Sequence, residues 1–281
     1  MTAVTLDTTT LLALVAGHLL GDFVLQPDVL AERKTRRTGW LVVHVLVVAL
    51  ATWVLLGTVR AAPLVAALFV VHLLLDLVKR RFAPRAAERR AVGNPLAGAD
   101  GGRYAAGGRA LQDAARGYGW FVVDQALHAA SLVALAWAAA FWLPGLAAAN
   151  AWTGLWGHGY TEALLLGAGF AATVWTLGVV LRFQMAGFAA RLPDDLVAGL
   201  PRGGLTVGQL ERTLVFVFVL MGRPEAVAFV VAAKAGFRIG DLTRPDQRNH
   251  AEYIMLGTLR SFTYALLLAL ATRWLLSWIG G

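Results

Sequence analysis

Long apolar runs separated by short polar stretches dominate the chain, at 11–26, 40–57, 61–78, 118–143, 161–182 and 253–278. Each approaches the ~20 residues that a helix needs to cross the hydrocarbon core of a bilayer, the first two with help from interfacial flanks. A denser stretch at 205–239 is interrupted at Gly222-Arg223-Pro224. Its second half, 225–238, is too short to cross comfortably, so the pair reads as a re-entrant or tilted helical hairpin. No repeat with a period of ~20–50 residues is visible. The predicted fold is all-α, a polytopic transmembrane helical bundle of about six full spans plus this short broken hairpin. Three parts are expected: an N-terminal four-helix bundle over 1–145, a fifth span and connector over 146–204, and a charged hairpin with the last span over 205–281.

Composition agrees with this pattern. Of 281 residues 58% are hydrophobic and the mean hydropathy is +0.63, an excess that a lipid-facing surface explains and a soluble domain rarely reaches. Cysteine is absent, which excludes disulfides and thiolate metal sites and leaves imidazole and carboxylate as metal ligands. The first apolar run lacks a small-residue cleavage site and reads as retained.

The net charge of +8 would suit nucleic acid, but the cations lie between apolar runs. They act better as topological determinants, and no nucleic-acid partner is expected. The loop 27–39 carries Arg33, Lys34, Arg36 and Arg37, and the loop 79–117 is richer still, whereas 144–160 has no Lys or Arg. Positive-inside bias puts the first two loops in the cytoplasm and the N-terminus outside, in a multi-pass membrane protein. The long basic loop reads as a solvated topogenic segment whose cations favour anionic headgroups.

Against this apolar background the first four spans hold His18, His44, His72 and His128 together with Asp22, Asp76 and Asp124. Three pairs recur at a spacing of four: His18 with Asp22, His72 with Asp76 and Asp124 with His128. Residues at i and i+4 share a helix face. In the topology set by the loops, all seven lie in the cytoplasmic half of the membrane. Ionisable groups at such depth cost ~2.5–3.5 kcal/mol each on insertion scales unless paired or solvated. Interhelical hydrogen bonding that glues a bundle would explain a lone histidine. Three matched pairs at one depth favour metal ligation by His18, Asp22, His44, His72, Asp76, Asp124 and His128. One or two divalent transition-metal ions, Zn²⁺ or Mn²⁺ above all, fit that donor set. Gln26, Gln125 and Ser131 lie nearby and read as packing or water contacts.

Further charges punctuate the C-terminal part: Glu211, Arg212, Glu225, Lys234, Arg238, Glu252 and Arg260. Ion pairs that fix the broken hairpin against the last span account for them, and an alternative gives Arg212, Lys234 and Arg238 the task of receiving a lipid phosphate.

The segment Gly17-His18-Leu19-Leu20-Gly21-Asp22-Phe23-Val24-Leu25-Gln26 resembles the opening of a bacterial integral-membrane family catalogued as domain of unknown function 3307. His44, His72-x-x-x-Asp76 and Asp124-Gln125-x-x-His128 are similar to later pieces of it. The phrases Leu210-Glu211-Arg212, Pro224-Glu225-Ala226, Ala232-Ala233-Lys234 and Ala251-Glu252-Tyr253 resemble its longer members. The resemblance implies no established activity. More loosely, the His-x-x-x-Asp pattern is similar to that of membrane-bound metal-dependent hydrolases.

The expectation is therefore a metal-dependent membrane hydrolase acting on a lipid-linked or phosphorylated substrate at the cytoplasmic leaflet. Asp22, Asp76 or Asp124 would act as proton acceptor, and Arg212, Lys234 and Arg238 would bind the anion. A divalent metal-ion transporter and a non-catalytic assembly protein with a structural metal are the alternatives. The outer halves of the four spans are almost wholly apolar, which favours a one-sided site over a transport path.

Overall fold

A computed structural model describes residues 6–83, 106–189, 203–236 and 248–280, with the backbone alone at 106–114 and 248–250. Among the described residues the regular elements are all helical. Six helices are long and apolar enough to cross a membrane: Thr38–Leu56, Val59–Phe82, Ala115–Trp142, Gly159–Ala189, Gly203–Leu220 and Ala251–Ile279. The N-terminal pair Thr8–Val24 and Asp28–Arg36 passes the same test jointly but is bent by 92°. The fold is thus the all-α helical bundle expected. Its compact parts are two units, 1–83 with 119–171 and 274–281, and 84–118 with 172–273.

In the first unit, α1 (Thr8–Leu19) runs into a π-helical turn, Leu20–Val24. Pro27 disfavours helical geometry at Gln26 before it, and the chain turns into α2 (Asp28–Arg36). The predicted loop 27–39 is therefore largely a helix lying across the end of α1. α3 (Thr38–Leu56) and α4 (Ala62–Phe82) follow, then the part of α5 (Ala106–Trp142) from Gly119 onward, the short α6 (Ala151–Trp156) and α7 (Gly159–Ala171). Lys79, Arg80 and Arg81 belong not to the predicted loop 79–117 but to the last turn of α4, where cations complement the helix dipole.

α3 illustrates how such a helix is built. Val42, Val43, Leu46, Leu50, Trp53 and Val54 are exposed along one side, a surface suited to lipid. Leu41, His44, Val45, Val48, Thr52 and Leu56 are buried on the other. Apolar side chains cover both faces, so only packing distinguishes them.

Gly17 and Gly21 decide that packing. A Cβ on Gly17 would stand 2.7 Å from the Thr52 Cα, and one on Gly21 would stand 2.7 Å from the Val48 Cα. Small residues spaced by four let α1 and α3 touch backbone to backbone. Thr52 tolerates the apolar seam because its hydroxyl donates to the Val48 carbonyl at 2.9 Å, as helical threonines do. Beyond this seam an apolar core fills the end of the unit away from α2, with Leu14, Leu56, Leu64, Leu68, Leu132 and Leu164 among its members. A hydrogen bond of 2.8 Å between Thr9 and Thr161 ties α1 to α7 there.

The second unit contains α8 (Leu177–Ala189), α9 (Gly203–Leu220), α10 (Val227–Gly236) and most of α11 (Arg248–Ile279). The expected break falls at Gly222, whose φ of +74° suits glycine. α9, at 18 residues, reaches spanning length by itself, whereas α10 has 10.

Candidate metal centre

All seven predicted ligands converge in the first unit. α1 and its π turn supply His18 and Asp22, α3 supplies His44, α4 supplies His72 and Asp76, and α5 supplies Asp124 and His128. Their side chains are at most 8% exposed. The π turn, closed by the Leu25 N–H donating to the Leu20 carbonyl at 2.7 Å, surrounds Asp22. Such bulges concentrate at functional sites because they re-aim a side chain within an otherwise regular helix.

The i, i+4 pairs do share faces, at 3.8 Å for His18 Nε2 to Asp22 Oδ2, 3.8 Å for His72 Nε2 to Asp76 Oδ2 and 3.5 Å for His128 Nδ1 to Asp124 Oδ1. Contacts as short or shorter run between helices. Asp22 Oδ1 lies 3.1 Å from His44 Nε2 and 3.4 Å from His72 Nε2, and Asp76 Oδ2 lies 3.6 Å from His44 Nε2. His72 is the hub, with the ring centroids of His128, His18 and His44 at 4.4, 5.5 and 5.5 Å.

Two ligands at the zinc–nitrogen and zinc–oxygen lengths of a tetrahedral ion stand about 3.4 Å apart. The spacings above bracket that value, and most are longer than a hydrogen bond. Three groups bring one ligand atom per residue within 4.8 Å of one another: His18, Asp22 and His72; His44, His72 and Asp76; and Asp76, Asp124 and His128. They share His72 and Asp76, so the geometry accommodates one ion or two neighbouring ones.

Hydrogen bonding leaves the donor set unfilled. His18 Nδ1, Asp22 Oδ1, His44 Nδ1, both nitrogens of His72, Asp76 Oδ2 and His128 Nε2 are buried atoms without a hydrogen-bond partner. Buried polar atoms are rarely left so. His128 is the clearest case. Its Nδ1 donates to the Asp124 carbonyl at 2.8 Å, which leaves the lone pair of Nε2 facing the cluster, the arrangement in which a backbone carbonyl orients a metal-binding imidazole.

Two residues of the site escaped the sequence reading. Lys34 Nζ donates to His44 Nε2 at 2.9 Å and lies 3.7 Å from Asp76 Oδ2. Lys79 Nζ donates to Asp124 Oδ2 at 3.0 Å. Their place in the sequence suggests only a topogenic role. Lys79 follows Asp76 by three positions, a same-face spacing that could have flagged it. Lys34 has no local signal, because only the bend after α1 brings α2 over the cluster. Gln125 bridges two residues of the cluster, donating to Asp124 Oδ2 at 3.1 Å and meeting His18 Nε2 at 3.4 Å. Ser131 bonds the His128 carbonyl, and Gln26 Oε1 is buried without a hydrogen-bond partner.

The C-terminal cations belong to the second unit. The Arg212 guanidinium is buried, and its Nε and Nη2 donate to the Val174 carbonyl at 3.1 and 2.7 Å, within the π turn Ala172–Thr176. Gly178 and Gly208 flank it so closely that a Cβ on either would come within 2.9 Å of its terminal nitrogens. Lys234 donates to Glu211 at 2.7 Å, an ion pair between the two arms of the hairpin and not the expected one from the hairpin to the last span. Arg238 lies outside the described residues.

No curated protein and no solved structure matches the chain. One family model does, described as protein of unknown function, DUF3307, over residues 10–153. That stretch is slightly more than half of the chain and includes every histidine, aspartate and lysine of the cluster. The chain belongs to this family of unknown function.

Proposed function

We propose that the cluster is a metal centre holding one or two divalent transition-metal ions, and that it hydrolyses a lipid-linked or phosphorylated substrate at the cytoplasmic leaflet of a bacterial inner membrane. The observation that carries this reading is the convergence of four buried imidazoles and three carboxylates, spaced as the ligands of a small cation, with His72 Nε2, Asp22 Oδ1, Asp76 Oδ2 and His128 Nε2 among the atoms left without a hydrogen-bond partner. Zn²⁺ and Mn²⁺ suit neutral imidazole and carboxylate donors.

A bound ion would supply Lewis acidity and lower the pKa of a water to about 7. Asp22, met by three histidines, and His72 at the hub would hold it. His128 would present Nε2, its ring fixed by the Asp124 carbonyl. One aspartate not used as a ligand would accept the proton of the attacking water. The apolar core that fills the opposite end of the unit supports access from one side only, and a transport path would need polar groups continuing across. The basic residues of α2 and the end of α4 support a cytoplasmic position for the open side.

Metal analysis of purified protein, followed by assay of phosphate-ester and lipid-phosphate hydrolysis, tests the reading. Replacing Asp22, Asp76 and Asp124 singly by Asn should yield at least one variant that keeps its metal and loses turnover by about 10²-fold, the loss of a general base. Folded protein with no affinity for transition metals refutes the centre. Saturable uptake of Zn²⁺ or Mn²⁺ into sealed vesicles, abolished by Asp76→Asn, would replace the hydrolase by a transporter.

A further inference from the structure

Resting on the metal-centre reading, we infer that Lys34 is an internal stand-in for the cation and that metal binding releases it to receive a phosphate group. Lys34 Nζ touches two of the atoms an ion would need, His44 Nε2 at 2.9 Å and Asp76 Oδ2 at 3.7 Å. Asp22 Oδ1 also lies 3.1 Å from His44 Nε2. One imidazole nitrogen cannot accept from an ammonium and donate to a carboxylate at once. The lone pair that accepts from Lys34 is the one a metal takes, so the ion and the ammonium compete for it.

Charge sets the consequence. With the histidines neutral, three carboxylates against two ammoniums, Lys34 and Lys79, leave one negative charge on the cluster. A single divalent ion reverses it to one positive charge. The cluster then attracts an anion, and the displaced ammonium has lost both partners to the ion. Its side chain is placed for that exchange, being 14% exposed where the aspartates and histidines are 8% or less. It sits on a flexible stem in a nine-residue helix set across the bundle. Lys79, 21% exposed and bonded to Asp124, flanks the cluster through a different carboxylate. The group received is a phosphate anion, free or on a lipid headgroup.

Metal and phosphate should therefore bind cooperatively, and by linkage each must raise the affinity of the other equally. The test is Mn²⁺ binding at fixed free-ion concentrations by the full chain in phosphate-free detergent, alone, with inorganic phosphate, and with short-chain phosphatidic acid. Wild-type protein should bind Mn²⁺ about fivefold or more tightly with at least one of the two anions. Phosphatidic acid acting where inorganic phosphate does not would identify a headgroup site. Lys34→Met should bind Mn²⁺ as tightly as wild type or more so without anion, and should lose the enhancement. Lys34→Arg should retain part of it. Arg33→Met removes the same charge from a side chain stacked over Trp40 at 5.0 Å and should keep it in full. Mn²⁺ binding indifferent to both anions, or an enhancement that survives Lys34→Met, overturns this inference while leaving the metal centre standing. Absence of Mn²⁺ and Zn²⁺ binding by wild type overturns both.

Discussion

Gly17 and Thr52 meet so closely that a Cβ on Gly17 would stand 2.2 Å from the Thr52 hydroxyl and 2.7 Å from its Cα. The contact sets the separation of α1 and α3, and the next residue along α1 is His18. With Gly21 against Val48 one turn later, it brings Asp22 within 3.1 Å of His44. Backbone cannot yield as a side-chain tip can, so a methyl group here must separate the helices. Gly17→Ala should lower thermal stability by about 1–3 kcal/mol, the cost of overpacking, and reduce metal content as well. Melting followed by metal analysis in the same detergent checks both, and an unchanged melt would show that the seam relaxes.

Removing the hub should be costlier to metal than removing its neighbours. His72 belongs to two of the three ligand groups, so His72→Ala should abolish most bound metal, and His18→Ala should reduce it. Glu162→Ala, outside all three groups, should leave it unchanged. Elemental analysis of the three variants against wild type is the measurement. Equal metal in His72→Ala and wild type would contradict the centre.

Orientation is open to a direct check because the chain has no cysteine. Single cysteines at Thr38, the first residue of α3, and at Ala148, before α6, lie toward opposite ends of the first unit. The positive-inside argument predicts labelling of Thr38→Cys from the cytoplasm and of Ala148→Cys from outside. The reverse pattern would move the centre to the other face.

Arg212 offers a contrast with the lysines of the site. Its guanidinium is fitted between Gly178 and Gly208 and donates twice to one carbonyl. A lysine cannot reproduce that fork. Arg212→Lys should therefore destabilise the protein by about 1–3 kcal/mol, the cost of leaving a buried carbonyl under-bonded. A melting curve checks it. An unaltered melt together with weaker substrate binding would return Arg212 to the anion-binding role that its charge suggested.

What the sequence determined by itself is what depends on composition and short-range periodicity. Long apolar runs fix a helical membrane-type bundle because a backbone without water must satisfy its own hydrogen bonds. The four-residue spacing put His18 and Asp22, His72 and Asp76, and Asp124 and His128 on common faces, since i and i+4 adjoin on any helix. The convergence of His18, Asp22, His44, His72, Asp76, Asp124 and His128 was legible for the same reason: imidazoles and carboxylates stand out against lipid-like sequence. Tertiary structure decided everything that needs two distant segments to meet. Apolar side chains on both sides of α3 carry no instruction about which side faces a neighbour. Only the close approach of Gly17 and Gly21 turns His44 toward Asp22. The bend at Gln26-Pro27 carries Lys34 back over a cluster from which its position in the chain seemed to exclude it. A charge in a polar loop and a charge folded across a buried site look the same in sequence, because solvation depends on what the fold places around them.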